Sequence, residues 1–224
     1  MIERVYSNLP MHIANVLESD LTAKARIRDA AMKLFAAEGV AASSLRGVAR
    51  AAGVSPGLIV HHFGSKQGLI RAVDEAVLKR IILALSEVPI EGSPDEVVEG
   101  RAEVVAAFLR SQPVLCDYLG RALSERTEAS AELFHRLFSY AAKDERLVEA
   151  GVLRAETDPF WRTMHQVVLV IAPMILRPLI ERELGGDLLS EENATRWARA
   201  RTDLLQNGLY AQTPTRQRRR ARRV

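Results

Sequence analysis

Hydrophobic residues recur along most of this chain at the spacing of one helical face, and no stretch alternates as a half-buried strand does. The first pattern predicts a helix over 22–38, capped by Asp20 or Thr22 and ended by Gly39. Short helices are predicted at 45–52 and 55–63, followed by a long helix at 66–86. The apolar positions of the first and the long helix are Ile27, Ala30, Ala31, Leu34 and Phe35, then Leu69, Ile70, Val73, Val77, Ile81 and Leu85.

The second half of the chain continues the helical pattern after a loop at 88–94 (VPIEGSP), which holds two prolines and a glycine. The predicted helices there are 94–110, 113–126, 128–149, 157–184 and 190–210. Proline and six arginines dominate residues 213–224, which are expected to be disordered. The sequence therefore predicts an all-α fold with a basic tail.

Charge divides the chain into unlike parts, although the net charge is only +3. Residues 21–80 carry ten Lys or Arg against four Asp or Glu, whereas residues 81–215 carry fourteen against twenty-one. A basic N-terminal unit on an acidic body indicates that only the first part meets a polyanion. The six tail arginines at 216–223 either bind phosphate nonspecifically or form a solvated tail, and both interpretations remain open.

Several classes of protein find no support in the sequence. The longest apolar run, at 167–176, is ten residues and contains Pro173, which is too short to span a bilayer. The N-terminus has no signal-peptide pattern, so the protein is expected to be cytoplasmic, with no membrane partner. Cys116 is the only cysteine, which excludes internal disulfides and a thiolate zinc cluster. No nucleophile elbow, phosphate loop or paired-carboxylate motif is present, so we predict no enzyme, no catalytic residues and no cofactor.

Residues 45–59 meet the physical requirements of a helix-turn-helix. Two short helices that cross steeply need a turn residue that tolerates positive φ, and Gly53 supplies it. Ala49 allows the helices to approach closely, while Val48 and Ile59 are placed to pack beneath them. In the second helix, Gly57, Leu58, Val60 and His61 are expected on the outer face, where a recognition helix meets base edges.

The stretch 28–69 resembles the DNA-binding region of the TetR family of bacterial repressors. The matching residues are Ala31, Leu34, Phe35, Gly39, Ser43, Ser44, Leu45, Val48, Ala49, Ala52, Gly53, Val54, Ser55, Gly57, His62, Phe63, Ser65, Lys66 and Leu69. The resemblance implies a three-helix DNA-binding domain joined by a long helix to a helical ligand-binding and dimerisation bundle. The expected divisions are an N-terminal arm at 1–19, a DNA-binding domain at 20–66, an effector-binding and dimerisation domain at 67–211, and the tail at 212–224.

The resemblance also implies which residues touch DNA. Phosphate contacts are expected from Ser44, Arg46, His62 and Lys66, the last of which opens a helix whose N–H groups favour an anion. The residues expected at the major groove are Pro56, Gly57, Leu58 and His61, and Ser55 before them is also expected to contact DNA. The family usually has tyrosine where this chain has Val60, so a phosphate-binding hydroxyl is missing there. Leu58 and Val60 are suited instead to thymine methyl groups.

Two histidines next to each other, His61 and His62, also suggest a metal site. Adjacent residues of a helix point about 100° apart, and no cysteine or carboxylate lies nearby in sequence. We therefore predict no metal site and favour a DNA contact for at least one of the two histidines.

The effector site is predicted from side-chain type. Aromatic and polarisable side chains beside the proline-containing helix suit either a ligand cavity or plain core packing. These candidates are Tyr118, Phe134, Phe138, Trp161, Met164 and His165. The resemblance implies that the last two long helices pair with their copies in a homodimer, and the apolar excess of 167–176 beyond one stripe agrees with burial from two sides.

The sequence thus predicts a dimeric repressor that binds double-stranded DNA at a palindromic operator and is released by a small-molecule effector of unknown identity. The alternative is a DNA-binding protein without an effector, which organises DNA through the helix-turn-helix and the arginine tail. A helical enzyme is a third and weaker hypothesis.

Overall fold

The computed structural model describes residues 23–86, 91–143, 146–149, 151–153 and 158–207. Helix is the regular structure throughout these residues, as the all-α prediction requires. The predicted N-terminal arm at 1–19, the caps Asp20 and Thr22, and the basic tail at 212–224 lie outside the described residues.

The helices are numbered here in chain order. They are α1 (Ala23–Glu38), α2 (Leu45–Ala52), α3 (Pro56–Phe63), α4 (Lys66–Ser86), α5 (Pro94–Ser111), α6 (Pro113–Ser124), α7 (Glu128–Ala142), α8 (Arg146–Glu149), α9 (Pro159–Ile175), α10 (Arg177–Leu184) and α11 (Glu191–Asn207). The first four and the helix after the 88–94 loop lie within a residue or two of their predicted bounds. Local capping explains this accuracy, since Ser44, Ser55 and Ser93 each accept a hydrogen bond from the backbone of the first turn they open.

The prediction of one helix over 157–184 is wrong. The chain instead forms α9 and α10, which meet at Leu176 with a bend of 73°. Pro178 has no N–H for the carbonyl of Met174 four residues earlier, which favours a break here, although α9 accommodates Pro173 in its interior. That carbonyl packs against Gly120 of α6 so closely that a Cβ at residue 120 would overlap it. The predicted helix over 128–149 is also divided, because α7 ends at Ala142 and the short α8 follows.

One continuous hydrophobic core joins the N-terminal helices to the body. It extends from Ile27 of α1 to Leu189 before α11, and includes residues of α4, α6, α7 and α9. Phe35 of α1 lies against Tyr118 of α6, with ring centroids 6.3 Å apart. A separate small cluster of Ala102, Ala106 and Ala198 joins α5 to α11. The predicted domain boundary at residue 66 therefore falls inside continuous packing, and it stays a prediction.

A buried acid lies near the middle of α4. Asp74 is 5% exposed and accepts a hydrogen bond of 2.6 Å from the hydroxyl of Tyr118. Burial raises the pKa of Asp74 to about 6, against the opposing effects of the Tyr118 hydrogen bond and the Arg136 charge. Burial likewise raises the pKa of the Cys116 thiol to about 12, so this cysteine is an unreactive core residue.

Among the described helices, none is by itself long and apolar enough to cross a membrane. Within the part of the chain that the structure describes, one pair, α9 and α10 taken together across their bend, reaches the necessary length and composition.

Candidate nucleic-acid interface

The turn between α2 and α3 has the geometry that two steeply crossing helices require. Gly53 ends α2 in the left-handed region, with φ 66° and ψ 38°. Its N–H bonds the carbonyl of Arg50 at 3.3 Å, and the N–H of Val54 bonds that of Ala49 at 3.0 Å. This pair of bonds satisfies carbonyls that the end of a helix leaves free. The predicted role of Gly53 is confirmed.

The second helix is short and capped at both ends. Ser55 accepts a hydrogen bond from the N–H of Leu58 at 3.2 Å, and Pro56 occupies the first turn, where no backbone bond is lost. At the other end, the N–H of Gly64 bonds the carbonyl of Val60 at 2.8 Å. These caps hold two helical turns that would not persist in isolation.

Burial separates the inner and outer faces of this unit. Val48, Ala49 and Ile59 are at most 2% exposed and anchor α2 and α3 in the core. The outer surface of α3 consists of exposed side chains, and most residues expected to contact DNA from this helix belong to it. They are Ser55, Pro56, Gly57, Val60 and His61.

Leu58 departs from the expected outer face. It is half-buried and packs against the core. Leu58 and His62 are four residues apart, so they share one side of α3 and flank the buried Ile59. His62 is half-buried as well, and its ring lies 5.4 Å from that of His61 and 6.2 Å from that of Phe63. Both residues therefore lie at the edge of the outer surface rather than at its centre.

The residues expected at phosphates lie around α3. Ser44 is exposed, and its oxygen accepts from the N–H of Gly47 at 3.1 Å, which leaves its hydroxyl hydrogen for another acceptor. Arg46 is exposed on α2. Lys66 opens α4, and its Nζ donates to the carbonyl of Ala41 at 3.1 Å. The ammonium group of Lys66 therefore links α4 to the loop before α2 and retains further donors for an anion.

Two features of the interface escaped the sequence analysis. Arg50 is exposed one turn after Arg46 on α2, so two guanidinium groups follow one side of that helix. Gly68 of α4 lies directly against the carbonyl oxygen of Phe63, where a Cβ would overlap that oxygen. The signals were an i,i+4 arginine pair and a glycine inside a predicted helix.

Within the sequence of this unit, the charged side chains are of one sign. No Asp or Glu occurs between Glu38 and Asp74, whereas four Lys or Arg do. These are Arg46, Arg50, Lys66 and Arg71. Asp74 itself is turned inward to Tyr118, so its carboxyl does not face the exposed surface. A cationic surface with an exposed helix at its centre is what a DNA groove and its phosphates require.

A metal role for the histidines has no geometric support in the part of the chain that the structure describes. In that part no three His, Cys, Asp or Glu side chains lie close enough together to hold a metal ion.

The six side chains suggested for an effector do not share one cavity. Tyr118 is fully buried in the core. The ring of Phe138 is 5.3 Å from that of Phe160, and Trp161 is exposed and 5.9 Å from His165, so these aromatics form a surface cluster at the start of α9. Met164 is half-buried. Of the six, Phe134 alone lines an apolar groove in the helical body.

That groove has a volume of about 460 Å³ and lies between the end of α6, α7 and α9. Its lining is largely apolar, with one charged side chain, and comprises Leu123, Arg126, Thr127, Ser130, Ala131, Phe134, Val168, Ile171, Ala172 and Ile175. The volume lies within the range of small-molecule sites.

Known proteins resemble this chain most specifically at the DNA-binding end. Residues 27–73 match the model of the bacterial regulatory proteins of the tetR family, which confirms the resemblance inferred from the motif. The HTH-type transcriptional regulatory protein RaaS of Mycobacterium tuberculosis is 36% identical over 143 residues. These residues make up 63% of this chain and 64% of RaaS, so the match spans a little under two thirds of that relative.

Solved structures extend the likeness to the helical body. The TetR family transcriptional regulator PfmR from Thermus thermophilus has a TM-score of 0.59 and 26% identity, and the match covers 85% of this chain and 99% of PfmR. The transcriptional regulator FadR from Bacillus subtilis, in complex with stearoyl-CoA, has a TM-score of 0.66 at 14% identity, with 83% and 98% covered. At that identity the FadR match shows the fold alone.

Proposed function

We propose that this chain, whose residues 27–73 carry the DNA-binding region of the tetR family, is a dimeric transcriptional repressor that leaves a palindromic operator when a small molecule binds. The proposal rests on the exposed outer surface of α3, together with the absence of Asp and Glu from the sequence between Glu38 and Asp74. Such a surface suits insertion of α3 into the major groove while Arg46 and Lys66 bind phosphates.

Exposed apolar side chains at the bend and on α10 support the dimer. Leu176 at the bend is 46% exposed, and Leu179 and Leu184 of α10 are 63% and 37% exposed. Val168 and Ile175 of α9 are exposed too, but they line the groove, so the proposed interface does not include them. An exposed apolar patch is typical of a protein interface. A two-fold pairing through it presents two copies of α3 to the DNA.

The groove between α7 and α9 supports an effector. It is apolar and of suitable volume, and it lies in the helical body rather than at the DNA-binding surface. FadR of Bacillus subtilis, with the same fold, was solved in complex with stearoyl-CoA, which makes a small-molecule site in this body a reasonable proposal for the present chain. Release from DNA requires that the effector bind the DNA-incompetent state more tightly.

Footprinting on DNA from upstream of the protein's own gene tests the proposal. We expect one protected palindrome with half-sites about one helical turn apart or a multiple of it. Arg46→Ala is expected to weaken the footprint, whereas Lys79→Ala, an exposed lysine on the far part of α4, is the matched control. Salt-sensitive binding that is indifferent to sequence would overturn the repressor and favour the DNA-organising alternative.

A further inference from the structure

Among the described residues that line the apolar groove, one side chain is an unpaired cation. Thr127 and Ser130 are polar, but their hydroxyls bond each other at 3.0 Å, and that of Ser130 also donates to the carbonyl of Ala122. Arg126 is exposed, and in the described part of the chain no carboxylate lies within ion-pair distance of its guanidinium. The groove therefore offers a free charge beside an apolar surface.

The turn that carries this cation has an unusual backbone. Arg126 has φ 53°, and no other described residue except glycine has a positive φ. This conformation is uncommon for an L-residue and is held by the structure on both sides. Before it, Glu125 ends α6; after it, Thr127 and Ser130 form a capping box that opens α7.

Glu125, which precedes Arg126, contacts the loop that leads into the helix-turn-helix. The carboxylate of Glu125 accepts hydrogen bonds from the N–H of Val40 at 2.5 Å and from the N–H of Ala41 at 3.1 Å. Both donors belong to the loop between α1 and α2. The carbonyl of Ala41 accepts the bond from Lys66, so one short segment is held by the body through Glu125 and by α4 through Lys66.

Consecutive residues thus contact two separate parts of the molecule. Arg126 lines the groove, and Glu125 holds the loop that leads into α2 and its N-cap Ser44. A carboxylate that binds Arg126 draws its guanidinium toward the groove and shifts the turn that also carries Glu125. This shift weakens the hydrogen bonds from Val40 and Ala41 to Glu125, because a hydrogen bond weakens steeply as its distance and angle depart from the optimum.

We propose that the groove binds an amphipathic carboxylate, with its hydrocarbon chain against α7 and α9 and its carboxylate on Arg126, and that the turn at 125–126 transmits this binding to the 40–41 segment. This inference rests on the proposed effector function. It adds the chemical class of the effector and the path by which its binding reaches the DNA-binding unit. The lone guanidinium beside an apolar lining selects an anionic head group and a hydrocarbon body.

Calorimetric titration of the full chain with decanoate tests the ligand class, with decan-1-ol as the uncharged probe. We expect decanoate to bind the wild type about tenfold more tightly than decan-1-ol. Arg126→Asn should remove that preference, because asparagine tolerates the left-handed backbone but carries no charge. Arg126→Lys should retain part of it. Equal affinities of the wild type for the two probes would overturn the assignment.

A substitution that fills the groove distinguishes ligand binding there from contact between two copies of the chain. Ala131 is exposed and lines the groove, so Ala131→Trp should abolish decanoate binding and leave the sedimentation coefficient unchanged. A change of oligomeric state in Ala131→Trp would show instead that the groove is covered by a second copy, and the proposal would fail.

Hydrogen exchange at the amides of Val40 and Ala41 tests the route. Decanoate should accelerate their exchange about tenfold in the wild type. Glu125→Gln should bind decanoate within about twofold of wild type, yet show fast exchange whether or not decanoate is present. Exchange unaffected by decanoate in the wild type would refute the route. These measurements use no DNA. A negative result in them would therefore refute this inference alone, whereas the absence of an operator footprint would refute the proposed function.

Discussion

Gly68 of α4 lies against the carbonyl oxygen of Phe63, the last residue of α3, with no space for a Cβ between them. The contact brings the end of the candidate recognition helix onto the first turn of the helix that leads into the body. The orientation of α3 on its support therefore depends on the absence of one side chain.

Gly68→Ala is expected to lower the free energy of unfolding by about 2–3 kcal/mol, because the new methyl group overlaps backbone that cannot rotate away. Gly100→Ala is the matched control, since Gly100 is also inside a helix but has no neighbouring atom within 4 Å of the place a Cβ would take. That control should be stabilised by about 0.5–1 kcal/mol through helix propensity. Urea unfolding measures both, and equal effects would contradict the close contact.

The stability of the fold is expected to depend on pH through Asp74. Its pKa is about 6 in the folded chain and 3.8 when solvated, so the folded state favours the neutral acid. This preference adds to the free energy of unfolding below pH 3.8. The contribution is lost as the pH rises through 6, at about 1.4 kcal/mol per pH unit or about 3 kcal/mol in all.

Asp74→Asn should therefore match the wild type near pH 3.5 and exceed its free energy of unfolding by about 2–3 kcal/mol at about pH 8. Asparagine still offers an oxygen to the hydroxyl of Tyr118. Glu99→Gln, an exposed acid on α5, is the control and should show little pH-dependent gain. A constant difference between Asp74→Asn and wild type across this range would refute the assignment.

Anchoring and reading residues should separate in DNA-binding assays. Lys66→Ala is expected to weaken binding to all operator variants by a similar factor and to lower the salt slope by about one. His61→Ala, on the exposed side of α3, should instead change the preferred base. Lys79→Ala serves as the control for the loss of a lysine. A uniform loss of affinity in both Lys66→Ala and His61→Ala would show that the two residues do not differ in role.

Leu179 is the test position for the dimer. It is 63% exposed on α10, so Leu179→Glu should leave the fold intact but shift the protein to monomers in sedimentation velocity. Val60→Glu places the same change on another exposed apolar residue, 47% exposed on α3, and should leave the oligomeric state unchanged. A dimer that persists in Leu179→Glu would place the interface elsewhere.

Local sequence signals were sufficient where caps and turns decide the structure. The bounds of α1 to α4 and the conformation of Gly53 could be predicted because serine caps, a turn glycine and helical spacing act over a few residues. The expected DNA contacts were implied by the family resemblance, and the structure exposes most of those residues. Leu58 and His62 lie at the edge of that surface, since a two-turn helix has no wide outer face.

Contacts between distant residues could not be inferred in this way. The candidate effector residues were chosen for side-chain type, yet of these only Phe134 lines the groove. The part of α9 that lines it begins at Val168, whereas Trp161 and His165 lie one to two turns earlier, in the surface cluster at the start of the helix. No local sequence pattern marks Arg126 or Glu125. The groove beside Arg126 is completed by residues more than forty positions later, and Glu125 contacts Val40, which is 85 positions earlier.

The helix-turn-helix that the hydrophobic pattern first indicated is thus determined by the sequence itself, in its bounds, its turn and its basic surface. Tertiary structure alone decided how that unit is held against the body, through Glu125 against the 40–41 segment and Phe35 against Tyr118. The physical reason is range. Capping and turn geometry act between neighbours in the chain, whereas close packing and buried hydrogen bonds depend on which distant residues the fold brings together.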